Sequence, residues 1–437
     1  MEAPDRRWVA PGALVLLALV IRIVVVVADT PYQPANDAHE YDYLARSIAA
    51  GDGYPRSGYL LQGGPTAIRG PGYPYFLGGV YALSGNSRTA GRLAGALLGA
   101  LGVLLLYLIA KRIWGRRVGI VAAAMAAVFP PLVLLSRDLL SESLFIPLEL
   151  GALLCVLNFR RSGGALRWAA AAGALAGLAA LTRNPGVVLL VAALLGVWIA
   201  RERFTARSLL APALVLLCFA LVLAPWITRN AAEFGKFIPL TTSTGITAAG
   251  VYNEASFRDT SSHGAWRDPQ TVRRFTPLFT TARIDEAEVD ETLRSDAWSF
   301  ARRHPSYVVE TFGWNLIRMF EISGGSVVDD TGRVIDERGI GSSVPLAERI
   351  GLGLAGILAI LGVIAIARSK PRDAGLPPRI PRGPLFFWSV PILILASTAL
   401  LNGLPRDRLP VDPFLLVAAS IGLIWLWNRS ARNGEAA

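Results

Sequence analysis

The chain has 437 residues, of which 53% are hydrophobic and 17% are charged, and its formal net charge is +11. Soluble domains average about 45–50% apolar and about 25% charged residues, so this composition argues against one soluble core of this size. The basic residues flank the apolar segments instead of clustering on a soluble domain, which excludes nucleic acid as the expected partner. The sequence therefore indicates an integral membrane protein whose surroundings are the lipid bilayer.

Ten segments are candidate membrane spans at about 20 residues per crossing. They lie at 9–28, 88–110, 118–136, 139–157, 168–182, 185–200, 208–227, 348–367, 384–401 and 411–428. The first is interpreted as a retained helix and not as a cleaved signal peptide, because it is long enough to cross and no good cleavage site follows it. Segment 71–85 is short and rich in Pro and Gly, so we expect it to be interfacial or re-entrant.

Basic clusters follow the apolar segments at 111–117, 158–167, 201–207, 368–382 and 429–432. The positive-inside rule places these clusters in the cytoplasm together with both termini. Residues 29–70 and 229–346 then lie outside. We expect an all-α polytopic membrane fold with three parts: an N-terminal transmembrane module (1–228) that contains a catalytic first outer loop (29–70), a small mixed outer domain with amphipathic helices (229–346), and a C-terminal transmembrane module (347–437).

The first outer loop contains the stretch QPANDAHEYDYLARSIAAG, residues 33–51. Apolar residues recur in it every three or four positions, and Asp42 and Arg46 are spaced as an i,i+4 ion pair, so the stretch predicts an amphipathic helix. Two interpretations of Asp37 remain open. It is either the N-cap of that helix in a capping box with Glu40, or a general base that faces a cavity.

A second pair of acids lies in SRDLLSESLF, residues 136–145. Glu142 falls near the first turn of a predicted helix, where the helix dipole favours an anion. A carboxylate so close to the bilayer is also a candidate functional group. Asp138 is the more exposed of the two and is interpreted as a cap, with a role at the site as the alternative.

Few basic residues fall on the expected outer face. They are Arg69, Arg183, Arg229, Arg406 and Arg408. Each is long enough to reach lipid head groups on its own, but together they are suited to clamp a phosphate.

His39 stands beside Asp37 and is a candidate for assisting a metal ion or a proton transfer, although a single loop histidine is more often only solvated. None of the three histidines has metal-ligand spacing, and the sequence contains no HExxH motif or phosphate-binding glycine loop. The sequence requires no cofactor and leaves a divalent cation open.

The order of these motifs resembles that of the glycosyltransferase C superfamily. The resemblance rests on the first-loop Asp, on RGPGYPYFLGGVYAL, LLSESLF, LTRNPG and APWITRNAAEFGKFIPLTTSTG, and on a late RDRLPVDPFLLVAA. Within the superfamily, the chain is most similar to the family 39 polyprenyl-phosphate-sugar enzymes, which include protein O-mannosyltransferases and aminoarabinose transferases. The resemblance covers most of residues 10–425 except the region around 255–345.

The resemblance implies that the catalytic aspartate falls on Asp37 and the acid of the second loop on Glu142. It further implies that the arginines contacting the donor phosphate fall on Arg183, Arg229 and Arg408. The chain departs from the family in two places. Asn184 separates Arg183 from Pro185 where many members have Arg-Pro, and Ala38 follows Asp37 where mannosyltransferases have an Asp-Glu pair.

The resulting hypothesis is a membrane glycosyltransferase of the bacterial cytoplasmic membrane, with its active site facing outside. It would move a sugar from a polyprenyl-phosphate-linked donor to a hydroxyl of an acceptor protein, lipid or glycan, with inversion and with Asp37 as general base. The main alternative is a transporter or flippase for a lipid-linked or anionic substrate, which should carry polar residues in mid-membrane or broken helices in paired halves. A membrane scaffold without catalytic activity is the third interpretation.

Overall fold

The computed structural model describes residues 6–58, 60, 63–198, 206–260, 262–280, 284–322, 327–328, 334–335, 346–369 and 383–434. Its first helices are α1 (Arg6–Ala28), α2 (Asn36–Ala50), α3 (Gly72–Ser84), α4 (Arg88–Trp114), α5 (Arg116–Val128), α6 (Pro130–Leu134), α7 (Glu142–Arg161), α8 (Leu166–Thr182) and α9 (Val187–Trp198). They are followed by α10 (Ala206–Phe234), α11 (Thr244–Val251), α12 (Glu254–Arg258), α13 (Thr276–Thr280), α14 (Glu286–Arg303), α15 (Pro305–Met319), α16 (Leu346–Arg368), α17 (Leu385–Ala399) and α18 (Asp412–Gly434).

Every predicted span coincides with one of these helices or with a pair of them. Within the described ranges, α1, α4, α7, α10 and α16 are long and apolar enough to cross a membrane singly, and α5 with the segment after it makes a sixth if that bent pair is one span. Helices α8, α9 and α17 are apolar but shorter. The protein is therefore a mostly helical, multi-pass membrane protein. Segment 71–85 forms the 13-residue helix α3, which packs on α2.

The chain bends by 55° between α5 and the segment Pro130–Arg137. Pro130 and Pro131 have no N–H to donate to the carbonyls four residues earlier, those of Ala126 and Ala127. Arg22, a fully buried residue of α1, supplies these missing donors: Nη2 lies 3.2 Å from the Ala126 oxygen and Nη1 lies 3.2 Å from the Ala127 oxygen. The bend is therefore a hydrogen-bonded feature of the fold, and it directs the chain after α5 toward the candidate site.

Basic residues gather at one end of the helical bundle. The Lys111 amine lies over the ring of Trp8 at the start of α1, and Arg160 donates to the Gly196 carbonyl near the end of α9. The predicted basic clusters at 201–207 and 368–382 fall mainly outside the described residues. The acids and arginines predicted for the site lie near the opposite ends of these helices.

The chain between α10 and α16 builds a second hydrophobic core. Side chains from α11, α14 and α15, including Ile246, Leu293 and Tyr307, pack together with Leu60 and Ile68 of the first loop. Beside them, strand β1 (Trp266–Arg267) pairs in parallel with β2 (Val327–Val328), which pairs antiparallel with β3 (Val334–Ile335). Within the predicted outer region 229–346, residues 261, 281–283, 323–326, 329–333 and 336–345 lie outside the described residues.

One carboxylate fastens this region to the first loop. Glu286, in the first turn of α14, is 1% exposed. It accepts hydrogen bonds from Ser57 Oγ at 2.6 Å and from the backbone N–H of Ala67 at 2.8 Å. The hydroxyls of Thr66 and Thr242 also donate to it. A buried carboxylate is stable only when its lone pairs are satisfied, so these bonds hold Ser57, Thr66 and Ala67 of the first loop against α14.

Candidate active site

Asp37 lies in the first turn of α2 and faces two arginines. Its Oδ1 is 2.5 Å from Arg69 Nη2 and its Oδ2 is 2.6 Å from Arg406 Nη2. The predicted capping box was wrong: the N-cap is Ala35, and it makes no side-chain capping bond. The helix begins before Asp37, and both carboxylate oxygens are directed to guanidinium groups instead of to the helix amides.

The two arginines control the charge of Asp37. Burial alone would raise the pKa of Asp37, but the charges of Arg406 and Arg69 outweigh it and hold that pKa well below its usual range. Glu40 shares Arg69, with Oε2 at 2.7 Å from Nε, yet burial raises its pKa. Of these two carboxylates, Asp37 is therefore the one whose ionised form the arginines favour more strongly.

Asp42, the other acid of the first loop, has a structural role. It accepts from Arg46 at 3.0 Å, from Arg88 at 2.9 Å and from the Tyr81 hydroxyl at 2.5 Å. The predicted Asp42–Arg46 pair is confirmed. These bonds fix α2 on α3 and α4, and so fix the direction in which Asp37 points.

Arg69 reaches the site because Gly70 permits a very close backbone approach. A Cβ at Gly70 would stand 2.3 Å from the Leu181 carbonyl oxygen, so a side chain there would push the loop away from the end of α8. The sequence RGPG thus brings Arg69 to the end of α8, where Arg183 is the next residue.

A second chain of charges starts at Glu142. Its Oε1 lies 2.5 Å from Arg183 Nη1, and Arg183 Nη2 lies 2.6 Å from Asp407 Oδ1. Arg183 also donates to the hydroxyl of Ser141, which accepts from Tyr41 of α2. Glu142 is fully buried, and burial raises the pKa of Asp407. Glu142 therefore orients Arg183 and has no direct contact with Asp37 here.

The turn Pro405–Arg408 separates its two arginines. Arg406 pairs with Asp37, whereas the fully buried Arg408 pairs with Asp412 at 2.9 Å and donates to the Met319 carbonyl. Arg408 lines neither cavity at the site. This corrects its predicted place: one turn of 3₁₀ helix directs Arg406 to the site and Arg408 into the protein.

Arg229 lies beside the site, in a different environment. It donates to the Thr66 carbonyl at 2.8 Å, and its guanidinium lies 5.1 Å from the Trp226 ring centre and 5.6 Å from that of Tyr54. It does not line the cavity that contains Arg183. In this structure Arg229 supports the first loop, and its contact with phosphate stays a prediction.

Two cavities meet at the Asp37–Arg406 pair. The larger, the arginine cavity, has a volume of about 570 Å³. Its charged lining consists of Asp37, Arg69, Arg183, Arg406 and Asp407. The smaller, the acidic cavity, has a volume of about 200 Å³. Its charged lining consists of Asp29, Asp37, Arg137, Asp138, Glu348 and Arg406.

Of the other candidate residues, Asp138 lines the acidic cavity, whereas His39 lines neither cavity. Asp138 follows the bent segment and accepts from the Tyr32 hydroxyl in the wall of the acidic cavity; burial raises its pKa, and the Tyr32 bond and Arg137 oppose that rise. His39 is exposed and lines neither cavity. Among the described residues, no three His, Cys, Asp or Glu side chains stand close enough to hold a metal ion.

Residues 68–228 match the protein family described as dolichyl-phosphate-mannose-protein mannosyltransferase. No curated protein sequence matches the chain significantly.

Three solved structures are similar to the chain. The archaeal oligosaccharyltransferase AglB from Archaeoglobus fulgidus, in complex with an inhibitory peptide and a dolichol-phosphate, is 12% identical, with 97% of this chain and 52% of that chain covered and a TM-score of 0.54. The apo form of the Archaeoglobus fulgidus oligosaccharyltransferase is 13% identical and has a TM-score of 0.51. The match covers 99% of this chain and 52% of that chain. ArnT from Cupriavidus metallidurans in the apo state is 18% identical and has a TM-score of 0.43. The match covers 94% of this chain and 76% of that chain.

The chain spans about half the length of the oligosaccharyltransferase structures that it matches. Those structures cover nearly all of this chain, from the membrane helices through the region after α10. Together with the family match, they confirm the resemblance predicted from the order of the sequence motifs: the chain has the fold of the glycosyltransferase C superfamily.

Proposed function

We propose that the protein is a membrane glycosyltransferase that moves a sugar from a polyprenyl-phosphate donor to an acceptor hydroxyl. The observation that carries this proposal is the position of Asp37, which lies between two arginines on the wall shared by two cavities. The family match and the dolichol-phosphate bound to the similar oligosaccharyltransferase support a lipid-phosphate donor.

The arginine cavity suits that donor. Its lining includes three guanidinium groups, those of Arg69, Arg183 and Arg406. A guanidinium group stays charged and can donate two parallel hydrogen bonds to the oxygens of one phosphate. Apolar residues line its side, among them Val187 and Val191 of α9 and Leu400, which directly follows α17; these three are about two-fifths exposed. A phosphate at the arginines would leave its isoprenoid chain on this apolar side, beside the bilayer.

The acidic cavity is left for the acceptor, so that the acceptor hydroxyl meets Asp37 from the side opposite to the donor phosphate. The acceptor oxygen forms a bond to the anomeric carbon while the bond from that carbon to the phosphate oxygen breaks. The hydroxyl proton passes to Asp37, and the bonding electron pair leaves with polyprenyl phosphate, whose charge the arginines stabilise. One displacement from the opposite face gives inversion at the sugar carbon.

Asp37 requires a change of partners to act as an effective base, because a carboxylate with a strongly lowered pKa accepts a proton weakly. Arg69 and Arg406 would bind the donor phosphate with the same N–H groups that now bind Asp37. Donor binding then weakens the two ion pairs and raises the pKa of Asp37. Arginines that serve both groups make the base effective only when the donor is present.

The proposal also includes the membrane arrangement. Ten crossings, with the basic end of the bundle in the bacterial cytoplasm, place the site outside. Residues 1–228 and 347–437 are the two transmembrane modules, and the outer domain 229–346 closes the first loop through Glu286. For this transfer reaction, a divalent cation stays an open prediction as a cofactor.

The test uses purified protein in nanodiscs with a panel of polyprenyl-phosphate sugars and follows the release of polyprenyl phosphate. Asp37→Asn should lose about 10²–10⁴-fold in turnover while donor binding is retained. Asp52→Asn, which changes an exposed residue of the same loop, is the matched control and should remain active.

Near wild-type turnover of Asp37→Asn would show that Asp37 is not the general base. Movement of a lipid-linked sugar across vesicles with no release of polyprenyl phosphate would favour the transporter instead.

A further inference from the structure

The two cavities that share Asp37 and Arg406 differ in charge. The arginine cavity has three guanidinium groups against two carboxylates in its lining, namely Arg69, Arg183 and Arg406 against Asp37 and Asp407. The acidic cavity has four carboxylates against two guanidinium groups, namely Asp29, Asp37, Asp138 and Glu348 against Arg137 and Arg406. The boundary between them is the single Asp37–Arg406 ion pair.

The carboxylates of the acidic cavity come from separate parts of the fold. Asp29 follows α1, Asp138 follows the bent segment Pro130–Arg137, and Glu348 lies in the first turn of α16. Asp29 is compensated by Arg137 at 2.7 Å and by the buried Arg92 at 2.8 Å. Asp138 forms no ion pair with a described residue and is held by the hydroxyl of Tyr32. An entering group therefore meets, on the Asp138 side, a carboxyl that no ion pair with a described residue closes off.

The remaining walls combine apolar and hydrogen-bonding groups. Leu134, Leu135 and Leu409 line the cavity beside the amide side chains of Gln33 and Asn36. Such a lining accepts an amphipathic group with hydroxyls. A phosphate or carboxylate on the same group would be repelled by the surrounding carboxylates, whereas an ammonium group would be attracted.

We propose that the acidic cavity selects the acceptor by charge and takes an amine-bearing or neutral polyhydroxylated group in preference to a phosphate- or carboxylate-bearing one. This inference rests on the proposed function, because it assigns the acidic cavity to the acceptor. It gives the active site two compartments of opposite preference, with an anionic donor on one side of Asp37 and a cationic or neutral acceptor on the other. The same charge difference keeps the donor phosphate out of the acceptor compartment.

Three octyl glycosides of equal chain length test the charge preference: octyl glucosaminide, octyl glucoside and octyl glucuronide. Equilibrium dialysis of each labelled glycoside against the full chain in nanodiscs, corrected with empty nanodiscs, gives its Kd without donor or turnover. We expect the glucosaminide to bind most tightly and the glucuronide at least about tenfold more weakly. In Asp138→Asn, and separately in Glu348→Gln, this ratio should fall toward one, whereas Asp52→Asn should leave it unchanged.

Equal binding of the three glycosides, tighter binding of the glucuronide, absence of specific binding, or a ratio that neither cavity variant changes would overturn the inference. The proposed function fails separately, if no donor releases polyprenyl phosphate while the glycoside preference and its dependence on Asp138 persist.

Discussion

Arg22 should stabilise the protein by replacing the two hydrogen-bond donors that Pro130 and Pro131 remove. Substituting Arg22→Met keeps a long apolar side chain but leaves the carbonyls of Ala126 and Ala127 without their donors. Each buried unsatisfied carbonyl costs about 1–3 kcal/mol, so the two together cost about 2–6 kcal/mol. Loss of the buried guanidinium removes a desolvation cost in return, so a substitution at Arg22 alone does not isolate the hydrogen bonds.

A double-mutant cycle isolates them. Pro130→Ala with Pro131→Ala restores the backbone N–H groups, which in a continued helix donate to the same two carbonyls. Arg22→Met should then cost less in the alanine background than in the native one, with a coupling free energy above about 1 kcal/mol. The measurement is resistance to unfolding by SDS in mixed micelles. An equal loss in both backgrounds, or no loss in either, would refute the hydrogen-bonding role of Arg22.

The same bend carries a glycine requirement. A Cβ at Gly99 of α4 would lie 2.6 Å from Arg22 Nε, so the close approach of α4 to Arg22 needs the hydrogen side chain of glycine. The arginine, the glycine and the two prolines therefore form one unit, although they come from three separate predicted spans.

Three further predictions follow from the site. Arg406→Gln should raise the KM for the donor with little loss of folding, whereas Arg408→Gln should lower stability by about 3–5 kcal/mol because it removes a buried ion pair with Asp412. Comparison of donor titrations with SDS unfolding checks both, and the reverse pattern would restore Arg408 to the phosphate site. Asp37 must be ionised to accept a proton, and its pKa in the free enzyme is held low by Arg406, so kcat/KM, which reports the free enzyme, is lost only as pH falls through that low value. Arg406→Gln should move the acidic limb of the kcat/KM profile to higher pH, and an unmoved limb would separate that limb from Asp37. Cysteine placed at the exposed Asp52 should react with a membrane-impermeant thiol reagent outside the cell, and cysteine placed at the exposed Ser162 should not; labelling of only the latter would invert the topology.

The sequence predicted the helices well because membrane spans and amphipathic periods are local signals. The helix expected within 33–51 begins at Asn36 and ends at Ala50, and its predicted Asp42–Arg46 pair forms. The positions of the spans followed from apolar length alone. Their bends did not, because the 55° bend after α5 depends on Arg22, about 105 residues away along the chain.

Capping shows where local patterns fail. The spacing Asp-x-x-Glu occurs at both Asp37–Glu40 and Asp285–Glu288, but a capping box forms only at the second. Asp37 is instead held by Arg69 and Arg406, the latter 369 residues away in sequence. A local pattern cannot reveal that a distant cation has taken the carboxylate.

The sequence predicted the chemical type of the candidate site but not all of its residues. Asp37, Arg69 and Arg183 were expected and lie in the same cavity lining, and Glu142 orients Arg183. Asp407 was missed. Arg406 was one of the five arginines expected on the outer face, but the resemblance assigned the donor phosphate to Arg408 instead. The sequence PRDRLP shows two arginines two positions apart, and only the geometry of the turn decides which of them faces the cavity.

The contact of Glu286 with the first loop determines when the site can be completed during synthesis. Its carboxylate meets Ser57 and Ala67, which precede it by 229 and 219 residues. At about 5–20 residues per second, the ribosome reaches Glu286 roughly 10–45 s after these loop residues have been made. Arg406 is translated later still. The first loop therefore emerges before either Glu286 or Arg406 exists, and Asp37 has only Arg69 as an ion-pair partner until Arg406 has been made.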